Sequence, residues 1–296
     1  MHIGMHLSIA GGFARSVLRA GRLGCPALQI FVQNPRSWRW RPLSSREVED
    51  FSVQRQRQGV EVVAAHLSYL PNLAAADHAL YQRSWARFRE EQALAKALAL
   101  DYLVCHPGHA PDPVQGRQRL LAGLIEAVTA SPPPPLILLE NTAGQKNELG
   151  ADLAELSLLI TQSQVPLGLC LDTAHAFAAG YDLGRVSEQQ RLAQEIGAGP
   201  GLAALQLIHL NDSLLPCGSR RDRHWHLGQG HIGLAALASF LGVYAQYAQA
   251  LILETPQKEP GDDVRNLAVA RHLMAAVVKE TAAAIPPMPD QNSGRR

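Results

Sequence analysis

The sequence predicts an α/β fold, a single-domain (β/α)8 TIM barrel, and three observations lead to that expectation. A chain of 296 residues with 47% hydrophobic content is long enough to bury one barrel-sized core. Short apolar runs recur eight times along it, spaced by about one helix each. The intervening segments repeat apolar positions every three or four residues, as crossover helices do, which suits a closed parallel barrel better than a doubly wound sheet.

The first run, IGMHLSI, begins at Ile3 and leads into AGG, where Gly11 and Gly12 either turn the chain or let the backbone approach a ligand. ALQIFV (27–32), VEVVAAHL (60–67), DYLVCHP (101–107) and LILLEN (136–141) read as strands two to five. LGLCLDT (167–173), LQLIHLND (205–212) and ALILETP (250–256) complete the set. YQRSWARFREEQALAKALAL and DLAELSLLITQ show the helical spacing between strands. SPPPP (131–135) cannot be helical and leads into strand five. The barrel domain is placed at residues 1–284, and IPPMPDQNSGRR (285–296) is expected to be a disordered tail.

Composition removes several classes. No apolar run approaches the roughly 20 residues of a membrane span, and MHIGMHLSIAGG lacks the basic and apolar regions of a signal peptide, so a cytoplasmic protein without membrane partners is expected. Cys25, Cys105, Cys170 and Cys217 form no CxxC pair, and two of them fall inside strand-like runs, which favours small buried hydrophobes over disulfides or zinc thiolates. The net charge of +1 neither demands nor excludes a nucleic-acid partner.

The ends of the runs carry the chemistry. His66, His106, Glu140, Asp172, His209 and Glu254 close strands three to eight, and a parallel barrel gathers all C-terminal strand ends at one mouth. One such residue alone is more often a satisfied loop-boundary side chain, but six in a row are all of metal-ligand type. His175 follows in the turn after Asp172, and Asp222 and His224 alternate in RRDRHWH, so that they can point the same way. These nine nitrogen and oxygen donors suit zinc or manganese, and at about three protein ligands per catalytic zinc they allow three ions.

Together with these donors, HLSIAGG, FVQNPRSW, HLSYLPNLA, LENTAGQ, LDTAHAFAAGYDL, HLNDS, GSRRDRH and LGQGHIG resemble the endonuclease IV family of zinc-dependent apurinic/apyrimidinic endonucleases over all but the tail. The resemblance implies one zinc on His66, His106 and Glu140, with Glu140 bridging to a second on Asp172, His209 and Glu254, and a third on His175, Asp222 and His224. Manganese could occupy one site. It implies a DNA-repair hydrolase that cuts the phosphodiester 5′ to an abasic site in duplex DNA, leaving a 3′-hydroxyl and a 5′-deoxyribose phosphate, and that also removes 3′-blocking groups. Glu140 and Glu254 are the catalytic carboxylates under this reading, with Glu254 orienting the attacking water.

Arg36 and Tyr69 correspond to family residues that insert into the base stack beside the lesion, where a missing base lowers the cost of flipping. Arg220, Arg221 and Arg223 are candidate phosphate contacts, although a solvated loop is the plainer account of any one of them. The partner implied is damaged double-stranded DNA, with no obligatory protein partner, a monomeric state, and association with the nucleoid if the source is bacterial. His2, His78 and His272 read as spectators, and His109, His226 and His231 as extra to the nine. Trp38 and Trp40 more often pack under a loop than touch DNA. Two other functions compete: a sugar isomerase or epimerase on the same barrel, which would need fewer metals, and a silent DNA-damage binder, which would have lost a ligand.

Overall fold

The computed structural model describes residues 1–284, so the expected tail lies outside the described residues. Eight parallel strands close into a barrel: β1 (His2–His6), β2 (Ala27–Phe31), β3 (Val62–His66), β4 (Tyr102–Cys105), β5 (Leu136–Glu140), β6 (Leu167–Asp172), β7 (Leu205–His209) and β10 (Ala250–Leu253). Strands follow one another around the ring, and β1 closes it by pairing with both β2 and β10. All eight sequence runs therefore become barrel strands, as expected. A short ribbon, β8 (Asp212–Ser213) with β9 (His224–Trp225), stands apart from the ring in the segment after β7. LQLIHLND is thus not one strand: β7 ends at His209 and the chain re-pairs elsewhere from Asp212.

Helices α1 (Phe13–Arg22), α2 (Ser45–Gln58), α3 (His78–Ala97), α4 (Pro113–Ala130) and α5 (Leu153–Gln162) fill the first five crossovers. The sixth carries α6 (Thr173–Ala179) and α7 (Val186–Gly197), and α8 (Gly233–Tyr244) and α9 (Asp262–Ala284) flank β10. Their starts follow local chemistry. Ser44 and Glu47 form a reciprocal capping box on α2, and Asp77, Asp112 and Asp152 cap α3, α4 and α5 by accepting early backbone N–H bonds. Among the described residues no helix is long and apolar enough to cross a membrane.

Two cores result. The larger lies between strands and helices and includes Trp85, Phe88, Phe51, Phe240 and Tyr244. The smaller plugs the barrel with Ala27, Ala64, Val104, Leu138, Cys170, Leu207, Ala250 and Ile252. Gly4 of β1 admits no side chain: a Cβ there would lie 2.0 Å from the Ala27 carbonyl oxygen. Cys25, Cys105 and Cys170 are buried free thiols, whereas Cys217 is exposed.

Candidate metal centre

Side chains two residues apart on a strand point the same way, so the layer above the apolar plug is fixed by the plug. Two positions beyond Gly4, Ala27, Ala64, Val104, Leu138, Cys170, Leu207 and Ile252 come His6, Gln29, His66, His106, Glu140, Asp172, His209 and Glu254. Every strand therefore delivers one polar side chain inward at the mouth. His106 and Glu254 lie one residue past the ends of β4 and β10 rather than within them. His175 is not in a turn: it sits in the first turn of α6, whose N-cap is Asp172, and the Asp172 Oδ1 accepts from the His175 N–H at 2.7 Å.

Among the described residues three clusters of nitrogen and oxygen donors form, each with its atoms within 4.8 Å of one another: His66, His106 and Glu140; Glu140, Asp172, His209 and Glu254; and Asp172, His175 and His224. Asp222 joins the third, with its carboxylate 3.4 Å from His175 Nε2 and 3.3 Å from His224 Nε2. Glu140, wholly buried, faces His66 and His106 with Oε2 (3.0 and 3.1 Å) and His209 with Oε1 (2.8 Å), so it is shared between two clusters. Cys170 Sγ also approaches Glu140 and His209, but burial pushes its thiol up to about 12.

The hydrogen bonds around the histidines fix which ring nitrogen faces each cluster. His66 Nδ1 lies 2.8 Å from the Leu67 carbonyl, His175 Nδ1 3.0 Å from that of Asn141, and His224 Nδ1 3.3 Å from that of Glu254. A carbonyl only accepts, so each Nδ1 carries the hydrogen and each neutral ring presents a bare Nε2 lone pair to the clusters. His209 is reversed: its Nε2 donates to the Gln29 Oε1 at 2.8 Å, leaving Nδ1 bare. Lone pairs and carboxylate oxygens thus converge with no hydrogen between them, an arrangement that repels itself unless cations intervene. Nitrogen and oxygen donors of this kind fit zinc.

Electrostatics say the same. Burial opposes ionisation of Glu140, yet His209 and His106 outweigh it and hold its carboxyl well below the usual range. Burial likewise opposes charge on His175, but the carboxylates of Asp172 and Asp222 hold it well above 6.5. Protons are the cations these groups attract when no metal is bound.

Sequence reasoning missed His6 and Gln29. His6 Nδ1 lies 3.0 Å from Glu254 Oε1, and Gln29 Nε2 donates to the same oxygen at 2.7 Å. His6 closes β1 in the structure but lies inside the run IGMHLSI, which hid it as a strand end, and mid-strand Gln29 is marked only by being polar in an apolar run. A cavity of about 1310 Å³ opens above this layer, lined by Arg36, Tyr69 and Trp40 among others. Tyr69 is 63% exposed at its rim and packs edge-on to Phe31. Arg221 and Arg223 are exposed outside this cavity, and Arg220 lines a smaller one of about 610 Å³. Trp38 and Trp40 lie under Arg83 and Arg87 of α3, at 4.2 and 5.6 Å. His226 meets the Asn266 side-chain amide at 3.0 Å.

Residues 17–276 match the model of the xylose isomerase-like TIM barrel family. A protein of Nitratidesulfovibrio vulgaris Hildenborough named probable endonuclease 4 is 41% identical over 277 residues, covering 91% of this chain and 98% of that one. The crystal structure of endonuclease IV from Thermus thermophilus superposes with a TM-score of 0.83 at 38% identity, covering 93% of this chain and 100% of that one. A D-tagatose 3-epimerase-like protein shares the fold alone, with a TM-score of 0.72 at 19% identity over 95% of this chain and 100% of that one.

Proposed function

We propose, from the premise that this chain belongs to the endonuclease IV family, that it is a DNA-repair hydrolase cutting the phosphodiester 5′ to abasic sites in duplex DNA with three zinc ions. The observation that carries this reading is the convergence of bare imidazole lone pairs and carboxylates from every side of one barrel mouth. His66, His106 and Glu140 would hold one ion; Glu140, Asp172, His209 and Glu254 a second; His175, Asp222 and His224 the third. Three divalent cations outweigh the four carboxylates, which leaves the mouth suited to an anionic phosphodiester.

Zinc bound there supplies Lewis acidity, which makes water a nucleophile near neutral pH and neutralises charge on the phosphoryl and departing oxygens. The chain's own residues do the rest. Glu254 has Oε1 held by His6 and Gln29, so its Oε2 is the atom left to ligate and to orient the attacking water. Glu140, gripped through both oxygens, holds the first two sites in register. Tyr69 and Arg36 stand on adjacent loops, joined by the Tyr69 N–H bond to the Pro35 carbonyl at 3.1 Å. From there they enter the base stack together, at a cost of a few kcal/mol that is least where a base is missing. Arg220, Arg221 and Arg223 contact phosphates farther out.

The same chemistry removes 3′-blocking groups attached through a phosphoryl bond. All nine ligands come from one chain, so a monomer suffices and no protein partner is required. Manganese can replace zinc at one site, since the donors are nitrogen and oxygen.

Cleavage of an end-labelled duplex carrying one stable abasic-site analogue tests the reading, with metal content measured on the same sample. Incision 5′ to the lesion by a protein holding about three zinc ions is expected. A fully loaded protein that leaves this duplex intact would overturn the assignment.

A further inference from the structure

Asp212 lies just past β7, is wholly buried, and belongs to none of the three ligand clusters. Its carboxylate accepts five backbone N–H bonds: Oδ1 from Ser213 at 2.8 Å and Ile232 at 2.9 Å, Oδ2 from Gly228, Gly230 and Gly233 at 2.9, 3.1 and 3.3 Å. One side chain thus ties the whole 227–233 loop and the start of α8 to β8. The fit is close, because a Cβ on Gly230 would lie 2.4 Å from both Asp212 Oδ1 and the Ser213 carbonyl oxygen.

The β8–β9 ribbon has two residues per strand, too short to hold itself together. It is extended by the Leu214 N–H bond to the Arg223 carbonyl at 2.9 Å and by the His231 N–H bond to the Ser213 carbonyl at 2.8 Å. This ribbon and the excursion inside it carry Asp222 and His224. Both are ligands of the third proposed ion, and neither is attached to a barrel strand. The other two sites draw their ligands from barrel strands or the residues directly after them.

We infer that Asp212 is the positioning residue of the third metal site: its cage of five backbone N–H groups sets the ribbon that brings Asp222 and His224 to His175. The inference rests on the three-ion reading above. An Asp212→Asn side chain keeps the shape but offers one acceptor oxygen, and its NH2 must face at least two N–H donors. The ribbon then loses its anchor while the barrel strands keep theirs.

The test is zinc titration by equilibrium dialysis on the full-length wild type and Asp212→Asn, with circular dichroism and thermal melting to follow the fold. The wild type is expected to hold about three ions. The variant should bind one of them about 10- to 100-fold more weakly, recover it at high zinc, and keep the other two at unchanged affinity. Gly230→Ala attacks the cage from the opposite side and should show the same selective loss, which settles the matter if Asp212→Asn does not fold. Retention of the third ion at wild-type affinity by a folded variant, or loss of all ions together, would overturn the inference while leaving the three-ion reading in place. A wild type that never takes up a third ion would remove that reading, and this inference with it.

Discussion

The Nε2 atoms of His175 and His224 face each other at 3.3 Å, and each ring commits its Nδ1 hydrogen to a backbone carbonyl. With both Nδ1 hydrogens so committed, the facing Nε2 atoms are arranged for a cation between them, a metal ion or, without one, the proton that His175 carries. Replacing either with alanine should remove about one zinc ion and lower incision at least about 100-fold, and the double variant should be little worse than either single one. Metal analysis and incision assays on the three variants check this; additive losses would mean the two rings serve different sites.

Acidification should shift the stabilities of the chelated and zinc-loaded proteins in opposite senses. In the metal-free chain His175 is held well above 6.5 against burial by Asp172 and Asp222, and His209 is held up against burial by the carboxylates of Glu254 and Glu140. Their contribution to stability is fully present below about 6.5 and is lost as pH rises through the higher folded values. Zinc needs the same nitrogens deprotonated, so its stabilising effect shrinks as pH falls. The depressed carboxyls of Glu140 and Glu254 change charge only below about 4.3, outside this window. Melting temperatures of the two forms should therefore converge between about pH 9 and pH 6; a constant difference would contradict the competition.

Gln29→Leu should weaken zinc at the site shared by Glu140, His209 and Glu254. The substitution removes the acceptor that fixes His209 with Nδ1 bare, and one of the two donors that hold Glu254 Oε1. A loss of about 10- to 100-fold in zinc affinity is expected. Unchanged binding would show that His209 finds its tautomer without Gln29.

Glu140→Gln leaves the shape of the site but replaces one of two anionic oxygens that together face His66, His106 and His209. Incision should fall by at least about 100-fold, with much of the DNA binding kept. Near-normal turnover in this variant would rule out a shared role for Glu140.

Tyr69→Ala should lower discrimination between abasic and intact duplex by about 10- to 100-fold, the scale of one lost aromatic stacking contact. Zinc content should not change, because Tyr69 stands exposed at the rim, outside the three ligand clusters. Intact discrimination would remove Tyr69 from base-stack insertion.

The barrel was legible in the sequence because strand and crossover helix have different apolar periods, and eight repeats of that alternation leave few other closed folds. So was the convergence of donor side chains at strand ends, since parallel strands share one polarity and a metal-type residue at the end of each run has only one place to go. What the sequence could not decide was direction beyond the strand. Asp172 is both a donor in the clusters and a helix cap, putting His175 on a helix rather than in a turn, and LQLIHLND breaks at His209 so that Asp212 starts a separate ribbon. His6 and Gln29 became part of the site only through the pleat, which stacks them above Gly4 and Ala27 at the same height as donor side chains from strands far away in sequence. Sequence alone determined the kinds of residue and the ring that gathers them; which nitrogen of each histidine is bare, and what holds Asp222 and His224 in reach, depended on carbonyls and N–H groups that only closure of the barrel and its loops brings together.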